Sequence, residues 1–496
     1  MTRKPNLVFI MSDQQRYDTL ACYGNDWIQT PNLNTLASQG FVFEHAYVTQ
    51  PVCTPARASI MTGLYPHSAG PIVNKMHLPA DVKTIAEMVS PDYLRGYMGK
   101  WHLGNDVLPQ HGFDVWVSTE DSHRESYSSR QALDRLTDYH RHLAANGFKP
   151  DKEVAGVTVF SGDARGKLPE EFQMASYLGD QAAAFIRENV DRPFILYVNT
   201  FEPHSPYFGP LMDTYDPAEL PVGPAFLKRP EGASLLNRLR ADYFLQYLLE
   251  GGDQTADEYM REYVAVEEDV STEEGWRRLR AHYFANINLV DGMVGKITSA
   301  IDDAGLADDT VVVFTSEHGD MLGDHGMLEK RSMYEESSRV PLLMRVPWLA
   351  REQTDIAGSA GHIDLVPTLL DLLGEHVPEH LQGKSLVPAL AGDGSLEDNE
   401  VFIEWNGTHP TMPDRHLGTA AIDRMITLAW RTVVLGRWKL NLCAGDQCEL
   451  FDLQSDPHET HNLFDDPAQR DRVRDMAARI RVWQGETGDD APLPAV

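Results

Sequence analysis

Four short apolar runs in this chain end in side chains able to bind ions or move protons. Leu7–Met11 leads into Ser12, Asp13, Gln14 and Gln15, and Phe194–Thr200 into Phe201, Glu202, Pro203 and His204. Val311–Ser316 leads into Glu317, His318, Gly319 and Asp320, and the weaker run Arg95–Gly99 into Lys100, Trp101 and His102. Asp13, Gln14 and Glu317 offer oxygen ligands suited to a hard cation such as Ca2+ or Mg2+, and the His318 imidazole also admits Mn2+. Taken singly, Asp13 caps a turn and His318 is a satisfied, half-buried histidine. Four such groups in step point to one site.

A fifth stretch, Pro51–Ser59 (PVCTPARAS), holds a cysteine and an arginine one helical turn apart. Thr54 reads as an N-cap, Pro55 as the first helical residue and Gly63 as the stop, so Cys53 stands at a helix N-terminus. Backbone N–H groups and the helix dipole favour an anion there. The forked donors of Arg57 would hold either Cys53 or an oxyanion. Three readings fit Cys53: part of an anion site, a nucleophile with a lowered thiol pKa, and a small buried hydrophobe.

These groups need a scaffold that brings distant segments to one edge. Short β-like runs (Leu7–Met11, Phe41–Val48, Phe194–Thr200, Val311–Thr315, Val340–Val346) alternate with helical patterns over residues 1–385. The helical patterns include Thr30–Gly40, with Thr30 as cap, Pro31 as first residue and Gly40 past the end, and the stretches Ser176–Asn189 and Leu279–Gly305. The alternation predicts an α/β protein with a large, mostly parallel sheet flanked by helices. Ligands bind outside the carboxyl ends of strands in such sheets, where all four polar groups would sit. Two polar stretches, about 117–170 and 205–275, interrupt the pattern and read as substrate-selecting or surface loops. After about residue 390, Val401–Trp405, Thr427–Gly436, Arg437–Leu442 and Glu449–Gln454 read as antiparallel strands, followed by a helix over roughly 466–484. The expected division is a catalytic α/β domain over 1–390 and a smaller α+β subdomain with an antiparallel sheet over 391–496.

Forty-three basic and 74 acidic residues leave a net charge of −31, which disfavours nucleic acid and anionic membrane as partners. An anionic substrate would then need a local positive pocket. Leu7–Met11 is too short for a secretory signal core, and no run approaches the ~18 apolar residues of a membrane span. The expectation is a cytoplasmic protein. Four cysteines (Cys22, Cys53, Cys443, Cys448) form neither a disulfide framework nor a CxxC pair. Cys443 and Cys448 would face each other across a hairpin as free thiols.

Cys53-Thr54-Pro55-Ala56-Arg57 resembles the C-x-P-x-R signature of the type I sulfatases, members of the alkaline phosphatase superfamily. The likeness continues through PARASIMTGLYPH, GYMGKWHLG, VFTSEHGDMLGDHG, GHIDLVPTLLDLLG, QGKSLVPAL and the closing RWKL and ELFDLQSDPHETHNL, and is weakest in the two polar stretches. It implies an alkaline phosphatase-like fold and a sulfuric ester hydrolase. It also implies that a formylglycine-generating enzyme oxidises Cys53 to formylglycine, whose hydrate attacks sulfur. The covalent sulfated intermediate then collapses with the help of a general base. On these matches His102 is that base, and Lys100 steadies the nucleophile or the sulfate. His204 and Lys330 bind sulfate oxygens and assist the leaving group, Arg57 partners the formylglycine, and Asn74 makes a sulfate-side polar contact. One divalent cation, Ca2+ ahead of Mn2+ or Mg2+, would rest on Asp13, Gln14, Glu317, His318 and one oxygen of residue 53. Arg57, Lys100, Lys330 and that metal would form the positive pocket an anionic ester needs.

Two positions depart from the common family pattern. Asp13-Gln14 replaces Asp-Asp, and Glu317-His318 replaces Asp followed by Asn or His. Asp-Gln also occurs in the related phosphonate monoester hydrolases, but those carry Tyr and Thr where this chain has Lys100 and His102. The expected substrate is therefore a small aryl or alkyl sulfate monoester. A phosphonate monoester or phosphodiester hydrolase is the first alternative and a carbohydrate sulfatase the second. A silent anion-binding protein that keeps Cys53 as a thiol is the rival from another class. A homo-oligomer is compatible with the sequence. His362 and Asp364 are expected to be structural. Asp320, Asp324 and His325 are expected to support the site or to lie in a solvated loop, and His140 and His142 to lie at the surface.

Overall fold

Leu7, Phe9 and Met11 alternate with Val8 and Ile10, and the two sets are buried in different core layers. A strand apolar on both faces belongs at the centre of a covered sheet. This strand is β1 (Asn6–Ser12), followed by β2 (Phe41–Tyr47), β3 (Leu94–Gly99), β4 (Val115–Ser118), a hairpin of β5 (Lys152–Val154) and β6 (Val157–Val159), and β7 (Phe194–Asn199). Then come β8 (Thr310–Ser316), β9 (Arg339–Val340), β10 (Leu342–Arg345) and β11 (Thr354–Gly361), and finally β12 (Glu400–Trp405), β13 (Trp430–Leu435), β14 (Trp438–Cys443) and β15 (Glu449–Asp452). The large sheet runs β11-β2-β10-β8-β1-β7-β3-β4, with β9 on β2. Its pairings are parallel except at β10, antiparallel to both β8 and β2, and at β9. The computed structural model describes residues 4–254, 257, 260, 269–407 and 419–496, so much of the end of the second polar stretch lies outside the described residues.

One face of the sheet is covered by the helices Pro31–Ser38, Met174–Glu188 and Glu273–Asp303, whose Leu33, Leu36, Leu178, Ile186, Val290 and Ile297 join Val8 and Ile10. Thr30 precedes the first of these helices but its side chain caps nothing. The longest helix starts earlier than its apolar pattern, at Glu273, because the Thr272 hydroxyl accepts the Gly275 N–H and closes the first turn. The other face carries Cys53–Thr62 and Leu365–Leu372.

The four strands β12 to β15 form the predicted antiparallel sheet, in sequence order. Arg470–Thr487 packs Val473, Met476, Ile480 and Trp483 against one face of it, each contact of this kind being worth roughly 1.5–3 kcal/mol. Val401, Ile403, Trp405 and Phe451 of the other face join the core beneath the large sheet, so the two parts share apolar packing. A buried ion network adds to it: Lys439 Nζ lies 2.8 Å from Glu335 and 2.6 Å from Glu459. Cys443 and Cys448 are free thiols in contact across their turn, the Cys448 sulfur lying 3.4 Å from the Cys443 N–H. Among the described residues no helix is long and apolar enough to cross a membrane.

The second polar stretch is not merely loop. It holds a 16-residue helix, Leu235–Glu250, which buries residues around most of its circumference and so shows no clean apolar stripe. The first stretch contains the β5–β6 hairpin and the helix Asp138–Ala145. His140 in that helix is buried, not at the surface, with Nδ1 3.5 Å from Asp121, and His142 is half-buried against Tyr177.

Candidate active site

All four polar groups do gather at the carboxyl edge of the large sheet. Asp13 follows β1, Lys100 and His102 follow β3, His204 follows β7, and Glu317 and His318 follow β8. The chain must turn sharply to point them inward, and Gln14 (φ 71°) and His102 (φ 58°) take left-handed backbone. Side chains adopt that conformation only where surrounding structure enforces it, and it clusters at functional sites.

The Cys53 helix starts two residues earlier than its sequence suggests, at Cys53, with Val52 as N-cap. Thr54 is therefore inside the first turn. Its hydroxyl donates to the His102 carbonyl at 3.0 Å instead of capping. Asn74 takes over the cap, its side-chain oxygen accepting the Thr54 N–H at 3.0 Å. Gly63 ends the helix at φ 68°, as expected. Cys53 is 1% exposed and sits at the first helical position.

Around Cys53 stands a buried set of charges. Asp13, Cys53, Glu317 and His318 each offer a ligand atom, and these atoms all lie within 4.8 Å of one another. Arg57 pairs with Glu317 through Nε and donates from Nη1 to the Lys100 carbonyl at 2.6 Å. Lys100 Nζ lies 2.5 Å from Asp13 Oδ2 and 3.9 Å from Glu317 Oε1. Burial opposes charge on Asp13, but the cations of Lys100 and Arg57 hold it well below the usual carboxylate range. Burial pushes Glu317 well above that range, and Asp13 adds to the push against Arg57. Asp13 Oδ1 and Glu317 Oε1 accept no hydrogen bond although buried, while Glu317 Oε2 is held by Arg57. Two neighbouring carboxylates with orphaned oxygens suit a divalent cation between them.

His318 fits the same role. Its Nδ1 lies 3.0 Å from the Gly319 carbonyl, which makes Nδ1 the protonated nitrogen and leaves the Nε2 lone pair facing Cys53 Sγ at 3.2 Å. Burial, then Lys330, pushes its pKa down to about 4, so the ring is a neutral ligand at physiological pH. Gln14 is engaged differently. Its Nε2 donates to Asp320 Oδ2 and, at 3.1 Å, to the Tyr207 hydroxyl, while Oε1 accepts Lys330 Nζ at 2.5 Å. An amide oxygen has two lone pairs, so one remains for a cation.

Lys330 also reaches His204, with 2.8 Å between Nζ and Nε2, and His204 Nδ1 donates to the Ser205 carbonyl at 2.8 Å. His204 is thus a neutral acceptor, held well below its ordinary pKa by burial and then by Lys330. Lys330 is fixed from behind by Arg240, on the helix the sequence did not reveal, which donates to the carbonyls of Leu328, Lys330 and Arg331 at 3.1, 2.7 and 3.1 Å. His102 has no partner on either ring nitrogen. Its ring lies on that of His123, and burial, His123, Lys100 and Arg57 together push its pKa well below the ordinary value. An unprotonated, unpartnered imidazole is a base in waiting.

Sequence reasoning also missed His123, Tyr207 and Arg240. Each comes from a polar stretch with no pattern to mark it. Asp320, Asp324 and His325 prove to be buried supports, not solvated residues: Asp320 accepts Tyr207 Oη at 2.6 Å, Asp324 pairs with Arg16 at 2.7 Å, and the His325 ring lies 3.8 Å from that of Tyr334. His362 and Asp364 are structural, His362 lying 3.3 Å from the Thr315 hydroxyl and Asp364 accepting the Gly361 and Lys384 N–H groups at 3.1 and 2.9 Å.

Comparison with known proteins identifies the family. The family model described as Sulfatase matches residues 5–375, and that of the N-sulphoglucosamine sulphohydrolase C-terminal region matches 323–486. A choline-sulfatase of Rhizobium meliloti is 30% identical over 99% of this chain and 89% of its own. An N-acetylglucosamine-6-O-sulfatase of Bacteroides thetaiotaomicron is 26% identical over 99% of this chain and 88% of its own. The solved phosphonate monoester hydrolase of Silicibacter pomeroyi shares the fold with a TM-score of 0.77 at 23% identity, over 97% of this chain and 96% of that one. The large, mostly parallel sheet with its added antiparallel sheet is the alkaline phosphatase-like architecture. The chain belongs to the sulfatase family, hydrolases of sulfuric esters within the alkaline phosphatase superfamily.

Proposed function

We propose that the enzyme hydrolyses a small aryl or alkyl sulfate monoester, with residue 53 converted to formylglycine by a formylglycine-generating enzyme. The observation that carries this reading is Lys100 on Asp13 together with an unpartnered His102 whose carbonyl is tied to Thr54 in the first turn of the Cys53 helix, in a site that also holds the Lys330–His204 pair. Formylglycine, once formed, supplies an oxygen nucleophile that a cysteine lacks. A divalent cation held by Asp13, Gln14, Glu317, His318 and residue 53 would act as a Lewis acid beside it, and the oxygen-rich set favours Ca2+.

The chain's own groups divide the remaining work. Lys100 neutralises Asp13 and keeps an ammonium beside residue 53, where it steadies negative charge. His102, neutral and free at both nitrogens, accepts a proton from the group at residue 53. Lys330 and His204, in contact at 2.8 Å, are placed together to bind the ester oxygens and assist the leaving group, with His204 holding the orientation of Lys330. Arg57 ties Glu317 to the strand end that carries Lys100. Beside His204 lies a cavity of about 40 Å³ lined in part by Arg165, Phe201 and Phe208, which supports a compact leaving group over a polymer. A cytoplasmic location fits such a substrate.

A phosphonate monoester hydrolase is the second reading, and Gln14 favours it. The test is kcat/KM for an aryl sulfate beside a matched aryl phosphonate monoester, with metal-loaded enzyme whose formylglycine at position 53 is verified by mass. A large excess for sulfate supports the proposal; a large excess for phosphonate replaces it with the second reading. Cys53→Ala is expected to abolish both activities. More than trace turnover in that variant would rule out residue 53 as nucleophile.

A further inference from the structure

The first polar stretch sends one arginine to the edge of the catalytic site. Arg165 stands on a five-residue helix, Gly162–Gly166, whose first turn is closed by the Ser161 hydroxyl accepting the Ala164 N–H at 3.0 Å. Gln173 donates to the Arg165 carbonyl at 3.1 Å and fixes the other end. The Arg165 guanidinium lies over the Phe201 ring, 5.2 Å from its centre, and the Lys100 ammonium lies 5.0 Å from the same centre. Phe201 also packs on the His204 ring at 4.7 Å. One aromatic ring thus links Arg165 to two groups of the site, and Arg165 lines the cavity of about 40 Å³ beside His204.

Only part of its donor fork is used. Nη1 holds Glu120 at 3.2 and 3.4 Å. Nε and Nη2 have no hydrogen-bond partner among the described residues, and neither is sealed from solvent. Glu120 is 1% exposed and takes no part in the cavity lining. Glu202 is the one acidic side chain in that lining, and both its oxygens are taken, Oε1 by the Ala175 N–H at 3.2 Å and Oε2 by the Thr200 hydroxyl. The Asn286 amide is spent on the Tyr207 carbonyl at 2.7 Å. Tyr139, Met174 and Phe208 supply apolar wall.

The Nε–Nη2 edge of a guanidinium presents two parallel N–H groups, which match the two oxygens of a carboxylate. A hydroxyl would use one of them, and an ammonium would be repelled by Arg165 and Lys100. The cavity has room for about three water-sized groups, enough for the three heavy atoms of a carboxylate. We propose that Arg165 selects esters whose alcohol part carries a carboxylate, which makes the substrate a compact sulfated hydroxy acid. The proposal rests on the sulfate reading above for one end of the molecule and adds the anion at the other.

The test is kcat/KM for 3- and 4-carboxyphenyl sulfate, each beside its carboxamide, with metal-loaded enzyme whose formylglycine is verified by mass. A carboxylate withdraws electrons less than a carboxamide, so the acids have the poorer leaving groups and a preference for them comes from binding. Wild type should prefer at least one acid over its amide by about tenfold or more. Arg165→Lys keeps a cation for Glu120 but replaces the fork by a single ammonium, and should remove most of that preference. Arg165→Gln combined with Glu120→Gln removes both charges together and should remove the rest. Circular dichroism would confirm that both variants fold. A wild type with no preference for either acid overturns the proposal. Equal losses on acid and amide in both variants would make Arg165 purely structural and overturn it too.

Methylphosphonate monoesters of the same four phenols separate this proposal from the reading beneath it. If they are turned over and the sulfates are not, the sulfate reading fails, while a preference for the acids that is lost with Arg165 still assigns the carboxylate to that residue. Absence of the preference in that series as well overturns the role of Arg165, and turnover of neither series overturns both.

Discussion

Lys330 Nζ donates to Gln14 Oε1 at 2.5 Å, so the residue that departs from the common Asp-Asp pattern is joined to a group that would handle the ester. The same amide donates through Nε2 to Asp320, whose carboxylate is also bonded by Tyr207. Gln14 thus needs a carbonyl on one side and an N–H on the other, and an aspartate supplies only acceptors.

Gln14→Asp is therefore expected to impair the enzyme, although it restores the commoner residue. It sets a carboxylate against Asp320 and is too short to keep Lys330 in place. Loss of a buried hydrogen bond with an unpaired partner costs about 1–3 kcal/mol, which corresponds to roughly tenfold to a hundredfold in kcat/KM for an aryl sulfate. Steady-state kinetics check this. An unchanged kcat/KM would mean that the Gln14 contacts do nothing for turnover.

A second prediction concerns His123. Its ring lies parallel to that of His102, centroids 4.2 Å apart and planes within 4°. It shields His102, the proposed base, from water, and burial is the largest cause of the low His102 pKa. His123→Ala should let water reach His102 and bring its pKa back toward the ordinary value. A base with a higher pKa stays protonated to higher pH, so the acid limb of the kcat profile should move up. His123→Phe keeps a ring over His102 and should restore most of the profile. If alanine and phenylalanine give the same acid limb as wild type, the stacked ring has no part in tuning the base.

The parts of this site that the sequence revealed share one property: they follow apolar strands. Asp13, Lys100, His204 and Glu317 could be placed at one edge because β1, β3, β7 and β8 announce themselves as buried runs. The parts that stayed hidden come from segments where burial has no period. Leu235–Glu250 buries Asn237 and Arg240 along with its leucines, so neither face stands out, yet its Arg240 fixes the Lys330 loop. The helix starts at Cys53, two residues before the start its sequence suggests, because Asn74, 21 positions away, caps it instead of Thr54. Long-range caps leave no local signal.

The two sheets should be coupled through Lys439. Its ammonium is fully buried between Glu335, five residues after Lys330, and Glu459. Burial opposes charge on Glu335, but Lys439 and Arg339 hold its pKa down, whereas burial raises Glu459 despite Lys439. Lys439→Met leaves Glu459 without its cation and Glu335 with Arg339 alone, a change that costs about 3–5 kcal/mol. Without Lys439 the Glu459 pKa, already raised, climbs further above the unfolded value and Glu335 loses part of what holds it down, so stability is retained below about pH 4 and lost as pH rises through the raised folded pKa. Urea unfolding at several pH values should show the deficit of the variant growing from acid to neutral pH. A deficit independent of pH would mean that packing, not charge, accounts for the loss.

Metal dependence can be read from stability without any turnover. Asp13 Oδ1 and Glu317 Oε1 are buried and accept no hydrogen bond, and His318 presents its Nε2 lone pair beside them, toward Cys53. A cation that binds these groups only in the folded chain stabilises it by about 2.7 kcal/mol at a hundred times its Kd. Melting in Ca2+ should therefore lie a few degrees above melting in a chelator. Glu317→Gln removes one charged ligand, and although it also weakens the Arg57 pair, the informative quantity is the increment that Ca2+ adds, not the absolute melting point. That increment should fall to a small fraction of the wild-type value. A variant that gains as much from Ca2+ as wild type would move the cation away from Glu317 and leave the two carboxylates to be reconciled by Arg57 and Lys100 alone.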